Sequence, residues 1–178
     1  IVMIFIGIGS NLPSSFGNRF KNIELAMSFL KNKGIKIIKK SSFYETFSQP
    51  NKSDPKFINI AISVETEMQP VDLMRTLITI EEKLGRKREK KNDPRTCDLD
   101  IIDYNGLVKN YRINNFVLDL PHKRLTSRNF VLYPLKEICS DWTHPQTKKG
   151  INILINNIKS DNNQITKLLE SDINNYAE

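Results

Sequence analysis

Apolar side chains recur along this chain at two spacings, which predict an alternation of strands and helices. Period-two and continuous apolar runs indicate strands, whereas apolar positions three and four apart indicate helices. On this basis the sequence predicts strands at 2–8, 35–47, 57–67 and 97–104, and helices at 18–33 and 73–84. The order β-α-β-β-α-β predicts an α+β fold: a ferredoxin-like, mostly antiparallel sheet with helices packed on both faces in three layers.

Glycines and asparagines mark the expected ends of these elements. Gly34 and Gly85 follow the two helical runs, where glycine favours the left-handed conformation that ends a helix. Gly7-Ile8-Gly9 lacks the third glycine of a dinucleotide-binding fingerprint and is interpreted as a turn. Asn105-Gly106 predicts a tight hairpin turn after the strand at 97–104.

The last third of the chain is polar and gives weaker signals. Ser127 is expected to cap a helix that reaches about residue 139 and is opened or interrupted by Pro134. A short amphipathic helix follows near 151–158, and residues from about 160 to 178 are predicted to form a peripheral helical tail. The length of 178 residues fits a single domain covering 1–178.

The composition limits the cellular environment in which the protein is expected to work. Hydrophobic residues make up 39% of the chain, and the apolar runs are too short to span a bilayer, so no membrane partner is expected. The first apolar run lacks the basic leader and small-residue cleavage site of a signal peptide. Cys97 and Cys139 are the two cysteines, which suits a reducing cytoplasm better than a disulfide framework. No zinc site is expected, because the two histidines have no close Cys/His spacing.

Two acids at the start of the strand at 97–104 are the first candidate for chemistry. Asp98 and Asp100 are two residues apart, so in a strand they point to one face about 6.6 Å apart, while Leu99 and Ile101 point into a core. One or two carboxylates completed by substrate phosphates and water are the usual site for Mg²⁺. A solvated strand that happens to carry two acids is the alternative.

A basic loop precedes these acids and favours the metal interpretation. Residues 85–95 read G-R-K-R-E-K-K-N-D-P-R, with six basic residues against two acidic ones and no apolar periodicity. Cations delivered to metal-binding acids are what a polyphosphate requires, and such a loop can close as a lid. The chain has a net charge of +7, and although many of its lysines are scattered, this loop is the one strong concentration of basic residues. Steering of ATP is the economical explanation of that concentration, although charge alone is equally compatible with nucleic-acid binding or a solvated surface.

Several motifs together resemble one family. The motifs, in chain order, are Gly9-Ser10-Asn11-Leu12, residues 41–46 (S-S-F-Y-E-T), 57–61 (F-I-N-I-A), 93–102 (D-P-R-T-C-D-L-D-I-I), 120–122 (L-P-H) and 128–135 (R-N-F-V-L-Y-P-L). They resemble the signature segments of 6-hydroxymethyl-7,8-dihydropterin pyrophosphokinases, enzymes of folate biosynthesis. The resemblance runs from about residue 3 to 145 and implies transfer of pyrophosphate from ATP to the hydroxymethyl group of the pterin, with release of AMP.

The resemblance also assigns roles at the phosphates. It implies that Asp98 and Asp100 hold two Mg²⁺ ions, and that Arg86 and Arg95 act on the transferred group. Its remaining nucleotide contacts are Glu81, Arg88, Ile101, His122 and Arg128. Taken alone, His122 reads more simply as a satisfied loop histidine, and Glu81 reads equally well as an exposed helix acid beside Glu82.

A second set of residues matches the pterin-binding positions of the family. A flat pterin requires aromatic faces and polar groups that read its edge in both directions. The resemblance places Phe57 and Phe130 on the faces and Thr46 and Asn59 at the edge. Asn59 lies two residues after Phe57, on the same face of the predicted strand. Both phenylalanines are equally compatible with an ordinary place in the hydrophobic core, and periodicity does not separate the two interpretations.

Two other functional classes share parts of this pattern. An RNA-recognition module on a ferredoxin-like sheet requires a K/R-G-F/Y-type aromatic motif, which is missing from this sequence. The paired acids would also repel a phosphate backbone. No nucleic acid is therefore expected as a partner. A nucleotide-sugar transferase with an Asp-x-Asp motif is disfavoured by length and by the Phe57/Asn59 pair. A P-loop kinase is excluded because no G-x-x-x-x-G-K-[ST] motif occurs.

Three positions depart from the family pattern. Phe47 stands where proline is common, and Asn92 and Asp93 replace an aromatic and a small residue in the basic loop. These changes affect the rim of the pterin pocket and the closing of the loop, and they leave Arg95 intact. The chain begins with Ile1 and not with Met, which leaves open a fusion with, or position beside, another folate-pathway enzyme.

Overall fold

A six-stranded sheet forms the centre of the protein in this computed structural model, which describes residues 3–86, 93–158 and 164–176. Its strands are β1 (Ile4–Ser10), β2 (Lys36–Lys40), β3 (Tyr44–Thr46), β4 (Phe57–Glu65), β5 (Asp98–Tyr104) and β8 (Ile165–Lys167). Every pairing in the sheet is antiparallel. The strand order is β5-β1-β4-β3-β8, and β2 pairs with the far end of β4. The predicted ferredoxin-like α+β fold is confirmed.

The register of the sheet lines up residues from four strands. Gly9 on β1 lies opposite Asp98 on β5 and opposite Asn59 on β4, and Asn59 lies opposite Tyr44 on β3. Adjacent strands are about 4.8 Å apart, so the predicted metal-binding acid and the predicted pterin-edge amide are separated by only two strand spacings. One row across the sheet therefore connects both predicted sites.

Helices cover both faces of the sheet, as predicted. The helices are α1 (Arg19–Asn32), α2 (Pro70–Lys83), α3 (Asn129–Ile138), α4 (Ile151–Asn156) and α5 (Glu170–Asn174). α1 and α2 pack over one buried cluster, which includes Ile6, Leu30 and Leu77. α3 and α4 pack over a second cluster, which includes Phe5 and Leu135. The face on which an RNA-recognition domain binds RNA is thus covered by α3 and α4.

The structure differs from two predictions about turns: the first turn does not form, and the second forms but does not make the expected hairpin. Gly7 and Gly9 lie inside β1 and form no turn. A Cβ atom at Gly9 would come within 2.5 Å of Asn59 Oδ1, so glycine is required there by the neighbouring strand. Asn105 and Gly106 do form a left-handed turn, with φ of 51° and 72°. The next strand, β6 (Lys109–Ile113), pairs with β7 (Phe116–Leu120) in a separate hairpin instead of returning along β5.

Later elements also depart from the sequence expectation. Ser127 belongs to a 3₁₀ turn at Leu125–Ser127 and bonds to the carbonyl of Arg124, so it does not cap α3, which begins at Asn129 and continues through Pro134. In the described part of the predicted helical tail, residues 164–176, strand β8 precedes α5. None of the helices among the described residues is long and apolar enough to cross a membrane.

Candidate active site

The acids at the start of β5 lie at the centre of the candidate site. Asp98 Oδ1 is 2.7 Å from Arg86 Nη1, and Asp98 Oδ2 is 3.2 Å from Arg95 Nη1. Asp100 lies one strand repeat further on, with 42% of its side chain exposed. The two carboxylates share a face of β5, as their spacing predicts, whereas Ile101 packs in the opposite core and also lines the larger cavity.

The end of α2 delivers Arg86 to these acids. Gly85 adopts φ of +85°, and the N–H groups of Gly85 and Arg86 donate to the carbonyls of Glu82 and Glu81, closing the helix. This turn directs the chain towards β5. Arg86 Nη1 then lies 2.6 Å from Glu81 Oε2 and bridges it to Asp98.

Glu81 is buried and its carboxylate is fully engaged, contrary to its interpretation as an exposed helix acid. Only 2% of its side chain is exposed. Oε1 accepts the backbone N–H of Leu99 on the outer edge of β5, and Oε2 holds Arg86. Glu81 therefore fixes both the edge strand that carries the acids and the arginine that faces them.

Arg128 and His122 approach Asp100 from the other side. Arg128 Nη1 is 3.7 Å from Asp100 Oδ2, and His122 Nε2 is 3.8 Å from the same oxygen. Burial and the nearby Arg128 and Arg124 lower the pKa of His122 to about 4, so the ring is neutral at pH 7. Its Nδ1 accepts the backbone N–H of Arg124, which assigns the proton to Nε2. His122 therefore presents a hydrogen-bond donor to the cleft.

The two acids have opposite pKa shifts. Burial favours the neutral form of both carboxyls. At Asp98 the charges of Arg86 and Arg95 outweigh burial and lower the pKa. At Asp100, recessed in the cleft beside ionised Asp98, burial and that negative charge raise the pKa to about 6. A bound cation would relieve this repulsion, which is the behaviour expected of a metal-binding pair.

Asn11 in the opening motif fixes the segment that carries Arg95. Its Oδ1 accepts the backbone N–H of Arg95, and the N–H groups of Asn11 and Leu12 donate to the Arg95 carbonyl at 3.1 and 3.2 Å. Its Nδ2 donates to Ser48 Oγ and to the Pro55 carbonyl. The buried amide thus joins the segment before β5 to the loop between β3 and β4. The sequence motif included Asn11 without revealing this role.

Two cavities meet at these residues. The larger, of about 540 Å³, is lined by α2, β5, β7 and the segment from His122 to Arg128. The smaller, of about 390 Å³, is lined by the four predicted pterin-binding residues, Thr46, Phe57, Asn59 and Phe130. Both cavities are lined by Arg95, Asp98, Arg124 and Arg128. A group carried from one cavity to the other would pass Asp98 and these arginines.

The smaller cavity has two aromatic walls and a polar end. The guanidinium of Arg95 lies 5.7 Å from the centre of the Phe57 ring, and that of Arg128 lies 5.3 Å from the centre of the Phe130 ring. Asn59 Nδ2 lies 3.4 Å from Thr46 Oγ1, and both side chains are buried. Each ring thus lies next to an arginine that also faces one of the two acids.

The structure brings together all of the predicted site residues that it describes. Arg88, Asn92 and most of the basic loop lie outside the described residues. Sequence reasoning missed Arg124, which lines both cavities, Gly9, which makes room for Asn59, and Asn129, which lines the smaller cavity. Arg124 gave no separate signal, because one basic residue in a polar loop resembles any solvated lysine or arginine.

The donor set suits Mg²⁺. Within the described ranges, no group of three or more His, Cys, Asp or Glu side chains could hold a metal ion. Asp98 and Asp100 are a two-carboxylate platform, and Mg²⁺ normally completes its octahedron with phosphate oxygens and water beside such a platform. The cations around them are positioned for anionic oxygens. These residues therefore fit a metal that binds together with a polyphosphate.

Paired acids where two cavities meet on a ferredoxin-like sheet are the arrangement expected of a transferase that brings two substrates together. The chain belongs to the 7,8-dihydro-6-hydroxymethylpterin-pyrophosphokinase (HPPK) family, whose sequence model matches residues 5–140.

Named relatives agree with this assignment. The chain is 35% identical to the 2-amino-4-hydroxy-6-hydroxymethyldihydropteridine pyrophosphokinase of Synechocystis, over 86% of this chain and 74% of the relative. It is 36% identical to the Bacillus subtilis enzyme of the same name, over 76% and 77%. It is also 40% identical to the folic acid synthesis protein fol1 of Pneumocystis carinii, over 83% of this chain but only 19% of the relative. The chain thus spans about a fifth of that fungal protein.

Solved structures support the fold. The wild-type HPPK-DHPS protein of Plasmodium falciparum superposes with a TM-score of 0.71 at 15% identity, covering 95% of this chain and 47% of that one. Its wild-type complex with pteroate superposes with a TM-score of 0.69 at 14% identity, over 87% and 44% of the two chains. At such low identity the similarity concerns the fold alone.

Proposed function

We propose that this chain transfers the pyrophosphoryl group of ATP to the hydroxymethyl group of 6-hydroxymethyl-7,8-dihydropterin and releases AMP, in folate biosynthesis, with two Mg²⁺ ions at Asp98 and Asp100. One observation carries the proposal. Two cavities of different chemistry meet at Asp98 and are joined by the same arginines. Membership of the HPPK family supports the substrates and the reaction.

The larger cavity suits ATP. Its lining includes six apolar side chains that can enclose a flat base, Met74, Leu77, Ile78, Phe116, Val117 and Leu118. It also includes the acids and the cations Arg95, Lys123, Arg124 and Arg128. An adenine held against the apolar side chains would leave the triphosphate to bind the cations.

The residues around the phosphates have separable roles. When bound, Mg²⁺ neutralises charge on the triphosphate and makes a coordinated hydroxyl more nucleophilic. Arg95 and Arg128 can hold phosphate oxygens where the two cavities join, and His122 can donate from Nε2. Arg86, held by buried Glu81, balances the charge of Asp98 and orients it. Transfer then depends on positioning and electrostatic stabilisation, with no side chain required as a general base.

The smaller cavity suits the pterin. Phe57 and Phe130 provide apolar surface for the ring faces, and Asn59 and Thr46 provide donors and acceptors for its edge. The register places Asn59 two strands from Asp98, so a pterin held at Asn59 would direct its hydroxymethyl group towards the acids.

The relatives support a proposal about the protein in which this chain acts. A relative from Arabidopsis, 37% identical over 76% of this chain, is named as a folate synthesis bifunctional protein and is several times longer than the matched segment. We propose that this chain likewise acts fused to, or beside, another folate-pathway enzyme. A reducing cytoplasm is proposed as its location, because Cys97 and Cys139 are both free thiols.

Product analysis tests the reaction. The chain is incubated with ATP, Mg²⁺ and 6-hydroxymethyl-7,8-dihydropterin, and AMP is separated from ADP. We expect AMP that depends on the pterin, with one pterin diphosphate per AMP. ADP would indicate transfer of a single phosphoryl group, and the absence of any pterin-dependent nucleotide product would refute the proposed function.

A further inference from the structure

The segment that ends the described chain returns to the sheet beside the smaller cavity. β8 pairs antiparallel with β3, and Ile165, Thr166 and Lys167 lie opposite Thr46, Glu45 and Tyr44. The family's sequence model ends at residue 140, so this strand lies outside the matched region. We call residues 164–176 the C-terminal strap.

Contacts on both sides of α5 fix the position of the strap. Leu168 is buried, and its N–H donates to the Phe43 carbonyl at 2.8 Å. Further along, the ring of Tyr176 lies 5.6 Å from that of Phe20, and the Tyr176 carbonyl accepts Asn18 Nδ2 at 3.0 Å. The strap is therefore held against β3 and against the start of α1.

The strap also brings a polar side chain to the cavity. Gln164, immediately before β8, lines the smaller cavity together with Thr46, Asn59 and Phe130. Its carboxamide offers both a donor and an acceptor, as that of Asn59 does. β8 moreover pairs with the backbone of Thr46, one of the residues proposed to bind the pterin edge.

We propose that the C-terminal strap completes the pterin site and that Gln164 is an additional specificity residue for the polar edge of the pterin. The inference rests on the proposed function. A strand that only covered the edge of β3 would need no amide at the cavity. The strap has two effects: it fixes Thr46 through main-chain pairing, and it adds the Gln164 carboxamide to those of Gln49, Asn59 and Asn129 in the wall.

Binding measurements on three variants test the inference. Gln164→Ala removes the amide. Leu168→Ala weakens the buried anchor of the strap. Thr166→Ala is the matched control, because Thr166 lies in β8, is exposed and lines neither cavity. For each variant, calorimetry measures the Kd for 6-hydroxymethyl-7,8-dihydropterin with Mg²⁺ and a non-hydrolysable ATP analogue present. The Kd for the analogue alone and the thermal midpoint are measured in parallel.

We expect Gln164→Ala to raise the pterin Kd about fivefold, the effect of one lost hydrogen bond, with the Kd for the ATP analogue and the thermal midpoint unchanged. Leu168→Ala should raise the pterin Kd without changing the Kd for the ATP analogue, and it should also lower the thermal midpoint because a buried leucine is truncated. Thr166→Ala should leave the pterin Kd unchanged. An unchanged pterin Kd in Gln164→Ala, or equal weakening of both ligands, would overturn the inference while the proposed function stood. Failure of the unsubstituted chain to bind the pterin would overturn both.

Discussion

The substitution Gly9→Ala adds a single methyl group, and we expect it to weaken pterin binding while leaving the fold intact. A Cβ atom at this position would lie 2.5 Å from Asn59 Oδ1 and 3.6 Å from a carbon of the Phe57 ring. The first distance is far below van der Waals contact, so Gly9→Ala must displace the Asn59 amide. Asn59 has a rotatable side chain, which lets the fold adjust but moves the group proposed to read the pterin edge.

The expected magnitudes follow from this geometry. Displacing the amide removes one or two hydrogen bonds to the pterin, each worth about 1 kcal/mol, so the pterin Kd should rise about 5- to 30-fold. The strained Asn59 rotamer costs about 0.5–1.5 kcal/mol, and replacing a strand glycine by alanine returns roughly 0.5–1 kcal/mol. The free energy of unfolding should therefore change by less than about 1 kcal/mol.

Gly7→Ala is the matched control. Gly7 lies two residues earlier on the same face of β1, where a Cβ atom would make an ordinary contact at 3.5 Å with Ile102 Cδ1. We expect it to leave pterin binding unchanged. Calorimetric titration with the pterin and urea unfolding would be measured for both variants. Equal pterin affinity in Gly9→Ala and the unsubstituted chain would refute the reasoning, as would equal loss in Gly7→Ala.

Three further predictions concern the two acids, Arg95 and Glu137 on α3. Asp98→Ala and Asp100→Ala should each remove most turnover while circular dichroism shows an intact fold, and near-normal turnover in Mg²⁺ would contradict the metal assignment. Arg95→Ala should slow the chemical step more than it weakens substrate binding, which single-turnover kinetics can separate from the ATP and pterin Kd values. Burial of Glu137 is outweighed by hydrogen bonds from Tyr44 and Ser42, which lower its pKa. A depressed carboxyl pKa in the folded state stabilises the fold above the unfolded pKa of about 4.3, and this stabilisation is lost as the pH falls through the folded pKa. Glu137→Gln should thus lower the free energy of unfolding more at pH 7 than at pH 3 in urea titrations, and an equal loss at both pH values would argue against it.

Local patterns in the sequence predicted much of the fold and the site. The i, i+2 spacing of Asp98 and Asp100 and the helical stripe from Leu73 to Leu84 depend on neighbouring residues, so a single sequence reveals them. The resemblance to the family supplied Thr46, Asn59 and the other proposed pterin contacts, which periodicity alone could not separate from ordinary core positions.

The features that the sequence missed depend on distant contacts. Gly9 is required because of Asn59, fifty residues later on a neighbouring strand, and only the register shows this. Asn11 bonds to Arg95 across 84 positions. The Asn105-Gly106 turn was predicted, but the partner of the following strand is chosen by tertiary packing. β8 is three residues long and pairs at the far edge of the sheet, which leaves too short a pattern to recognise.

The buried amide of Asn11 has a consequence for how the two substrates affect each other. It holds the segment around Arg95 at one end and the loop with Ser48 and Pro55 at the other. Moving either segment alone would leave a buried polar group unpaired, at a cost of about 1–3 kcal/mol. A ligand that shifts the Arg95 segment therefore changes the free energy of arranging the loop beside the other cavity. By thermodynamic linkage such an effect is reciprocal: a ligand that changes the affinity for a second ligand by this route has its own affinity changed by the same factor.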